Sequence, residues 1–96
     1  MRVAVRASLR GTPDQLAFAA TLGLDLGART DWEVKVTREA RHGVVERGEL
    51  QVRLFAKGLD EALTAVRAEL DRVYEVAGSG RRLPMIEWRR PRRITE

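Results

Sequence analysis

Residues 49–56, ELQVRLFA, have the clearest strand pattern in the chain, and the other elements can be placed relative to them. Apolar side chains occupy alternate positions, while Phe55 falls with the charged and polar side chains on the opposite face. This period of two is typical of a half-buried strand. Residues 2–10 alternate in the same way, with aliphatic side chains on one face and arginines prominent on the other. The sequence therefore predicts two strands that each bury one face.

The first helix is predicted to begin at Thr12. Its hydroxyl can accept a hydrogen bond from the backbone of Gln15, whose side chain can reach back to Thr12, and Pro13 suits the first helical position. Either Gly23 or Gly27 could end the helix as a left-handed cap. A spacing of 100° per residue predicts a core-facing stripe of Leu16, Ala19, Ala20, Gly23 and Leu26.

Residues 32–37 alternate again and are predicted to form a hairpin with the strand 49–56. A two-residue turn at His42-Gly43 would place apolar residues opposite polar ones, so register parity argues against it. One further loop residue, or a bulge at Gly48, restores the parity. The preferred register pairs Trp32 with Leu54, Val34 with Val52, Val36 with Leu50 and Glu33 with Arg53.

A second amphipathic helix is predicted over about residues 60–77, from apolar residues at i, i+3, i+4 and i+7. A last strand over 81–88 contains Pro84, which has no N–H for the sheet ladder, so this strand should lie at an edge. The order βαββαβ predicts an α+β, ferredoxin-like sandwich. Its four-stranded antiparallel sheet would have the order 4-1-3-2, with both helices on one face.

The positive charge is concentrated at the C terminus. The formal net charge is +4, and residues 81–96 contain six arginines against Glu87 and Glu96. We therefore predict a single domain over residues 1–88, followed by a basic tail over 89–96. Several guanidinium groups beside an indole are typical of non-specific contacts to nucleic-acid phosphate. Trp88 is interpreted first as a core or edge-packing residue and only second as a stacking platform.

The sheet face opposite the helices is predicted to be open and rich in arginine. In the RRM family, such a face carries two or three exposed aromatic rings that stack on bases. Here the first strand has no aromatic residue and the third supplies only Phe55, so membership of that family is excluded. An arginine-lined sheet can still contact phosphates. The candidate residues for binding nucleic acid or a partner are Arg2, Arg6, Arg53, Phe55, Trp88, Arg89, Arg90, Arg92 and Arg93.

Few residues suggest catalysis. The chain has no cysteine, which excludes disulfides, thiolate nucleophiles and cysteine-ligated metals. The only histidine, His42, sits in a predicted turn without a second metal ligand or an orienting carboxylate. No catalytic residue, cofactor or metal site is predicted, and a non-enzymatic interaction module is favoured. A cleft enzyme on the same fold is the third interpretation.

Two functions follow from these patterns. The first is binding of nucleic acid or another polyanion, and the alternative is a homo-oligomeric structural or adaptor subunit. Phe18 and Leu22 lie outside the predicted core stripe, where they either cover its margins or contact a protein partner such as a second copy. No apolar segment is long enough for a membrane span and no signal-peptide pattern is visible. A cytoplasmic protein without a membrane partner is expected.

Overall fold

The computed structural model describes residues 1–39, 46–76 and 83–95. The elements in chain order are β1 (Arg2–Gly11), α1 (Pro13–Arg29), β2 (Glu33–Glu39), β3 (Glu46–Phe55), α2 (Leu59–Val76), β4 (Met85–Trp88) and β5 (Arg92–Arg93). The strands form one antiparallel sheet in the order β2-β3-β1-β4, and β5 also pairs with β1. The chain is therefore an α+β structure, and its strand order is compatible with a ferredoxin-like fold.

The core lies between one face of the sheet and the two helices. Val5 of β1 and Val52 of β3 are fully buried, in one cluster with Leu16 of α1 and Val66 of α2. Because side chains alternate along a strand, the residues directly before and after each of these valines point to the other side of the sheet. No described helix covers that side, and we refer to it as the open face.

The β2–β3 hairpin has the register that side-chain parity favoured. Val34 pairs with Val52, Val36 with Leu50 and Glu33 with Arg53. The pairing runs from Glu33 to Glu39 without a bulge, and Gly48 pairs with Arg38. A Cβ on Gly48 would lie 2.5 Å from the Thr37 carbonyl oxygen, so the close approach of two backbones explains this glycine. The predicted turn at His42-Gly43 lies outside the described residues.

The start of α1 is confirmed, whereas both candidate ends are wrong. Gln15 donates its backbone N–H to the Thr12 hydroxyl at 3.3 Å, and the Thr12 N–H donates to the Gln15 side chain at 2.9 Å. The helix continues through both glycines to Arg29. A Cβ on Gly23 would lie 2.5 Å from Val36 Cγ2, and one on Gly27 would lie 3.6 Å from Val34 Cβ. These glycines therefore let the helix approach β2, and neither is a cap.

Replacement of the two glycines by alanine should change the stability of the protein in opposite directions. Gly23→Ala is expected to destabilise the protein by about 1–3 kcal/mol, because the stiff Val36 side chain cannot easily move away from the new methyl group. Gly27→Ala is the matched control and should be neutral or stabilising by up to about 1 kcal/mol, since its methyl has room and alanine favours the helix. Urea unfolding measures both changes. Equal stabilities of the two variants would contradict this packing.

The predicted core stripe of α1 needs one correction. Leu22 is 2% exposed and belongs to the core, and Phe18 is half-buried against it. The helix packs over β2 with Gly23 against Val36, which brings Leu22 into the core in place of the half-buried Ala20. Leu22 is therefore not available to a protein partner. The exposed leucine of this helix is Leu24, which is 75% exposed.

The C-terminal segment follows β1 along one sheet edge. β4 lies at the edge as predicted, but Pro84 precedes the strand and is buried. Beyond β4, the Arg89 N–H donates to the Arg6 carbonyl and the Ile94 N–H to the Arg2 carbonyl, each at 2.9 Å. The division of the chain after residue 88 stays a prediction, and these bonds join residues 89–94 to the sheet.

Tyr74 on α2 gives a direct probe of folding at high pH. Burial raises its pKa to about 12, and the nearby Asp71 carboxylate adds to the shift. Because the folded pKa lies above the ordinary value of about 10, its contribution to stability is complete below pH 10 and is lost as the pH rises through about 12. Tyr74 is the only tyrosine, so absorbance at 295 nm follows its ionisation alone. We expect a midpoint near 12 in the folded protein and near 10 in guanidinium. Equal midpoints would show that Tyr74 is not buried.

Candidate functional site

One small residue of the open face, Ala4, is surrounded by arginines. On β1, Arg2, Ala4 and Arg6 point to this face, because Val3 and Val5 between them are in the core. Ala4 pairs with Arg53 of β3 on one side and with Arg92 of β5 on the other. We call Arg2, Arg6, Arg53 and Arg92 the arginine cluster. Ala4 is only 9% exposed, since long side chains flank it on the side that no described helix covers.

The cluster has the dimensions of a polyanion site. Arg53 and Arg92 are separated by two strand spacings, about 10 Å, and Arg2 and Arg6 by four residues along one strand, about 13 Å. Their guanidinium groups can therefore contact several phosphates at once, each with two parallel N–H donors. Arg2 also donates to Glu33 at 3.3 Å, an exposed ion pair that contributes less than about 1 kcal/mol to stability.

The tail adds arginines to both sides of the sheet. Between the pairs Ala7–Trp88 and Ala4–Arg92 the tail has one residue more than β1, which defines a bulge around Pro91. Arg92 falls on the open face beyond this bulge, and Arg93, paired with the buried Val3, falls on the helix side. Both are exposed, as is Arg90.

Arg89 joins the open face by a different contact. Its guanidinium donates two hydrogen bonds to the Ser8 hydroxyl, from Nη2 at 2.9 Å and from Nε at 3.2 Å. Ser8 lies on the open face two residues beyond Arg6, so these bonds hold Arg89 beside the arginine cluster.

The two candidate aromatic residues lie on opposite sides of the sheet. Phe55 is opposite Arg2 at the end of the arginine cluster and is 80% exposed. Trp88 pairs with Ala7, which is fully buried, and therefore faces the helices. The guanidinium carbon of Arg67 on α2 lies 5.9 Å from the centroid of the Trp88 ring, within cation–π range. Phe55 is thus available to stack on a base beside the arginines, and Trp88 packs against α2.

Charge is distributed unevenly along the open face. Among the described residues, the half around Ala4 carries six basic side chains and one carboxylate: Arg2, Arg6, Lys35, Arg53, Arg89 and Arg92, with Glu33. The charged groups among the described residues of the other half are three carboxylates and two arginines: Glu39, Glu49, Glu87, Arg10 and Arg47. An anion is therefore attracted to the half around Ala4.

A concavity of about 510 Å³ lies at the other half of this face, between the ends of β1, β2, β3 and β4. Its size is that of a small-molecule pocket, but its lining mixes guanidinium and carboxylate groups where such pockets are mostly apolar. Within residues 1–39, 46–76 and 83–95, no three His, Cys, Asp or Glu side chains are placed to hold a metal ion. In the same ranges no side chain accepts a hydrogen bond from the Ser8 hydroxyl.

No protein-family model, curated protein or solved structure matches this chain. Neither described helix combines the length and the apolar content needed to cross a membrane.

Proposed function

We propose that this protein is a non-enzymatic interaction module that binds single-stranded nucleic acid through the arginine cluster. The supporting observation is the pairing of β5 with β1, which brings Arg92 opposite Ala4 and beside the arginines of β1 and β3. Four guanidinium groups on one exposed surface are suited to a chain of phosphates, because each phosphate replaces counterions and accepts charge-assisted hydrogen bonds.

Phe55 favours a single strand over a duplex. An exposed ring beside a basic surface can stack on any unpaired base, and such stacking contributes about 1–3 kcal/mol per base. In a duplex the bases are stacked on each other and cannot reach the ring. Because Phe55 lies opposite Arg2, one base can stack on it while the adjoining phosphates contact the arginine cluster.

The fold that we propose for this module is the ferredoxin-like sandwich. The strand order β2-β3-β1-β4, the antiparallel pairing and the placement of one helix after β1 and one after β3 support it. The proposed location is the cytoplasm, where single-stranded nucleic acid is present.

A homo-oligomeric subunit is the second candidate. It is favoured by Phe55 and Met85, which are 80% and 74% exposed on an open face that no described helix covers. Burial of Leu22 removes one of the two helix residues expected at that interface. Light scattering at increasing protein concentration tests this candidate, and a mass that stays at one chain would contradict it.

Fluorescence polarisation of a labelled single-stranded DNA of about eight nucleotides tests the proposed function. With three or four phosphates neutralised, the logarithm of affinity should fall with the logarithm of salt at a slope of about −2 to −3. Between about 50 and 200 mM salt this amounts to a 15- to 60-fold loss. An oligomer of the same bases with uncharged methylphosphonate linkages is the control and should not bind. Absence of DNA binding at 50 mM salt would refute the proposal.

A further inference from the structure

We infer that the bound nucleic acid crosses the strands of the sheet from β2 to β5, and that carboxylates on the open face prevent it from extending along them. This inference rests on the proposed function. It follows from the arrangement of the open face in successive rows, each made of neighbouring residues on β2, β3, β1 and the C-terminal edge.

Two adjoining rows carry most of the positive charge. The row through Ala4 consists of Glu33, Arg53, Ala4 and Arg92. The next row consists of Lys35, Gln51, Arg6 and Arg89. Arg89 belongs to this row because its backbone N–H donates a hydrogen bond to the Arg6 carbonyl. Each row extends over four strands, about 15 Å, whereas the two rows are about 7 Å apart. Arg2 adds one further row beyond Ala4, so the basic surface measures about 13 Å along β1 and about 15 Å across the strands.

The third row reverses the charge. It consists of Thr37, Glu49, Ser8 and Glu87, and we call it the carboxylate row. Glu49 and Glu87 flank Ser8 from the two sides, and Arg89 reaches this row through its hydrogen bonds to Ser8. A phosphate in this row would lie close to a carboxylate and be repelled by it. The row is about 7 Å from Arg6, which is less than the Debye length of about 8–10 Å at physiological salt, so salt screens this repulsion only in part. Repulsion by the two carboxylates therefore keeps the phosphates on the side of this row where Arg6, Ala4 and Arg2 lie.

The same geometry sets the direction and length of the bound segment. Phe55 lies beyond the Ala4 row, on the side away from the carboxylate row. A base that stacks on Phe55 can therefore belong to a nucleotide whose phosphate is held by the neighbouring rows. At the phosphate spacing of about 3.4 Å along one strand of B-form DNA, 15 Å holds about four phosphates, and an extended single strand places fewer. The protein should therefore bind a segment of about four nucleotides.

A length series tests the inference. Labelled oligothymidylates of about two to twelve nucleotides are titrated with the full chain at about 50 mM salt. Wild-type affinity should rise with length and level off at about four to five nucleotides. The double variant Glu49→Gln, Glu87→Gln should bind the longest oligomer about fivefold more tightly and level off at a greater length. The control Glu61→Gln, Glu75→Gln removes the same charge from exposed positions of α2 and should change affinity by less than twofold.

The outcomes separate this inference from the proposed function. Wild-type binding with a plateau that the Glu49→Gln, Glu87→Gln variant does not move would overturn the inference and leave the proposed function standing. Equal gains in the two double variants would also overturn it, because net charge alone would then explain the effect. Absence of wild-type binding to every oligomer would overturn the proposed function itself.

Discussion

Replacement of Arg92 by glutamine is expected to weaken binding of an eight-nucleotide DNA strand about tenfold. The variant loses one charge-assisted contact to phosphate, worth about 1.5–3 kcal/mol before the remaining contacts adjust. Its salt slope should become shallower by about 0.7, the contribution of one phosphate on a single strand. Combination with Arg53→Gln removes both arginines that flank Ala4 and should weaken binding about a hundredfold. Fluorescence polarisation at two salt concentrations measures both quantities.

Arg93→Gln is the matched control for this prediction. Arg93 is the next residue on β5 and carries the same charge, but its pairing with Val3 directs it to the helix side. We expect less than a twofold loss of affinity. Equal losses in the two variants would mean that the tail attracts nucleic acid by charge alone, and the assignment of a binding face would be wrong.

Replacement of Glu46 by alanine is expected to destabilise the protein by about 2 kcal/mol. Glu46 is 7% exposed and accepts from Arg38 Nε at 3.1 Å and Nη2 at 2.8 Å. Arg38 Nη2 also donates to the Pro13 carbonyl at 3.3 Å, so the pair joins the hairpin to the start of α1. Removing one partner of a fully buried pair costs about 3–5 kcal/mol. The cost should be smaller here, because the Arg38 side chain is 38% exposed and water can replace part of the interaction.

Glu33→Ala is the control for the loss of an ion pair. Its carboxylate is 69% exposed in the pair with Arg2, and such surface pairs contribute about 0–1 kcal/mol. Urea unfolding followed by tryptophan fluorescence compares the two variants. A loss in Glu46→Ala no larger than in Glu33→Ala would contradict the structural role of the Arg38–Glu46 pair.

Local chemistry and register parity made most of the fold predictable. The capping box at Thr12 depends only on neighbouring residues, and the hairpin register depends on which residues alternate. The predicted ends of α1 at Gly23 and Gly27 were wrong for the opposite reason. These glycines are required by the approach of β2, which no local sequence pattern reveals. Leu22 was misplaced because the buried side of a helix depends on the element that it packs against.

Part of the candidate site was also predictable. Alternation along β1 and β3 is enough to place Arg2, Arg6 and Arg53 on one face. The contribution of the tail was not predictable, because the bulge around Pro91 changes its parity. If the β4 register continued without a bulge, Arg93 would face the open side and Arg92 the helices. Ala4 gave no signal of its own, since its role as the centre of the cluster depends on β5.

Nuclear magnetic resonance titration of the nitrogen-15-labelled protein with an unlabelled eight-nucleotide DNA strand locates the binding face residue by residue. We predict that the largest chemical-shift changes fall on backbone amides around Ala4, Arg53, Phe55 and Arg92. Amides of α2 should change little, because that helix lies on the other side of the sheet. Changes centred on the helices, or an unchanged spectrum at low salt, would contradict the claim that the open face binds single-stranded nucleic acid.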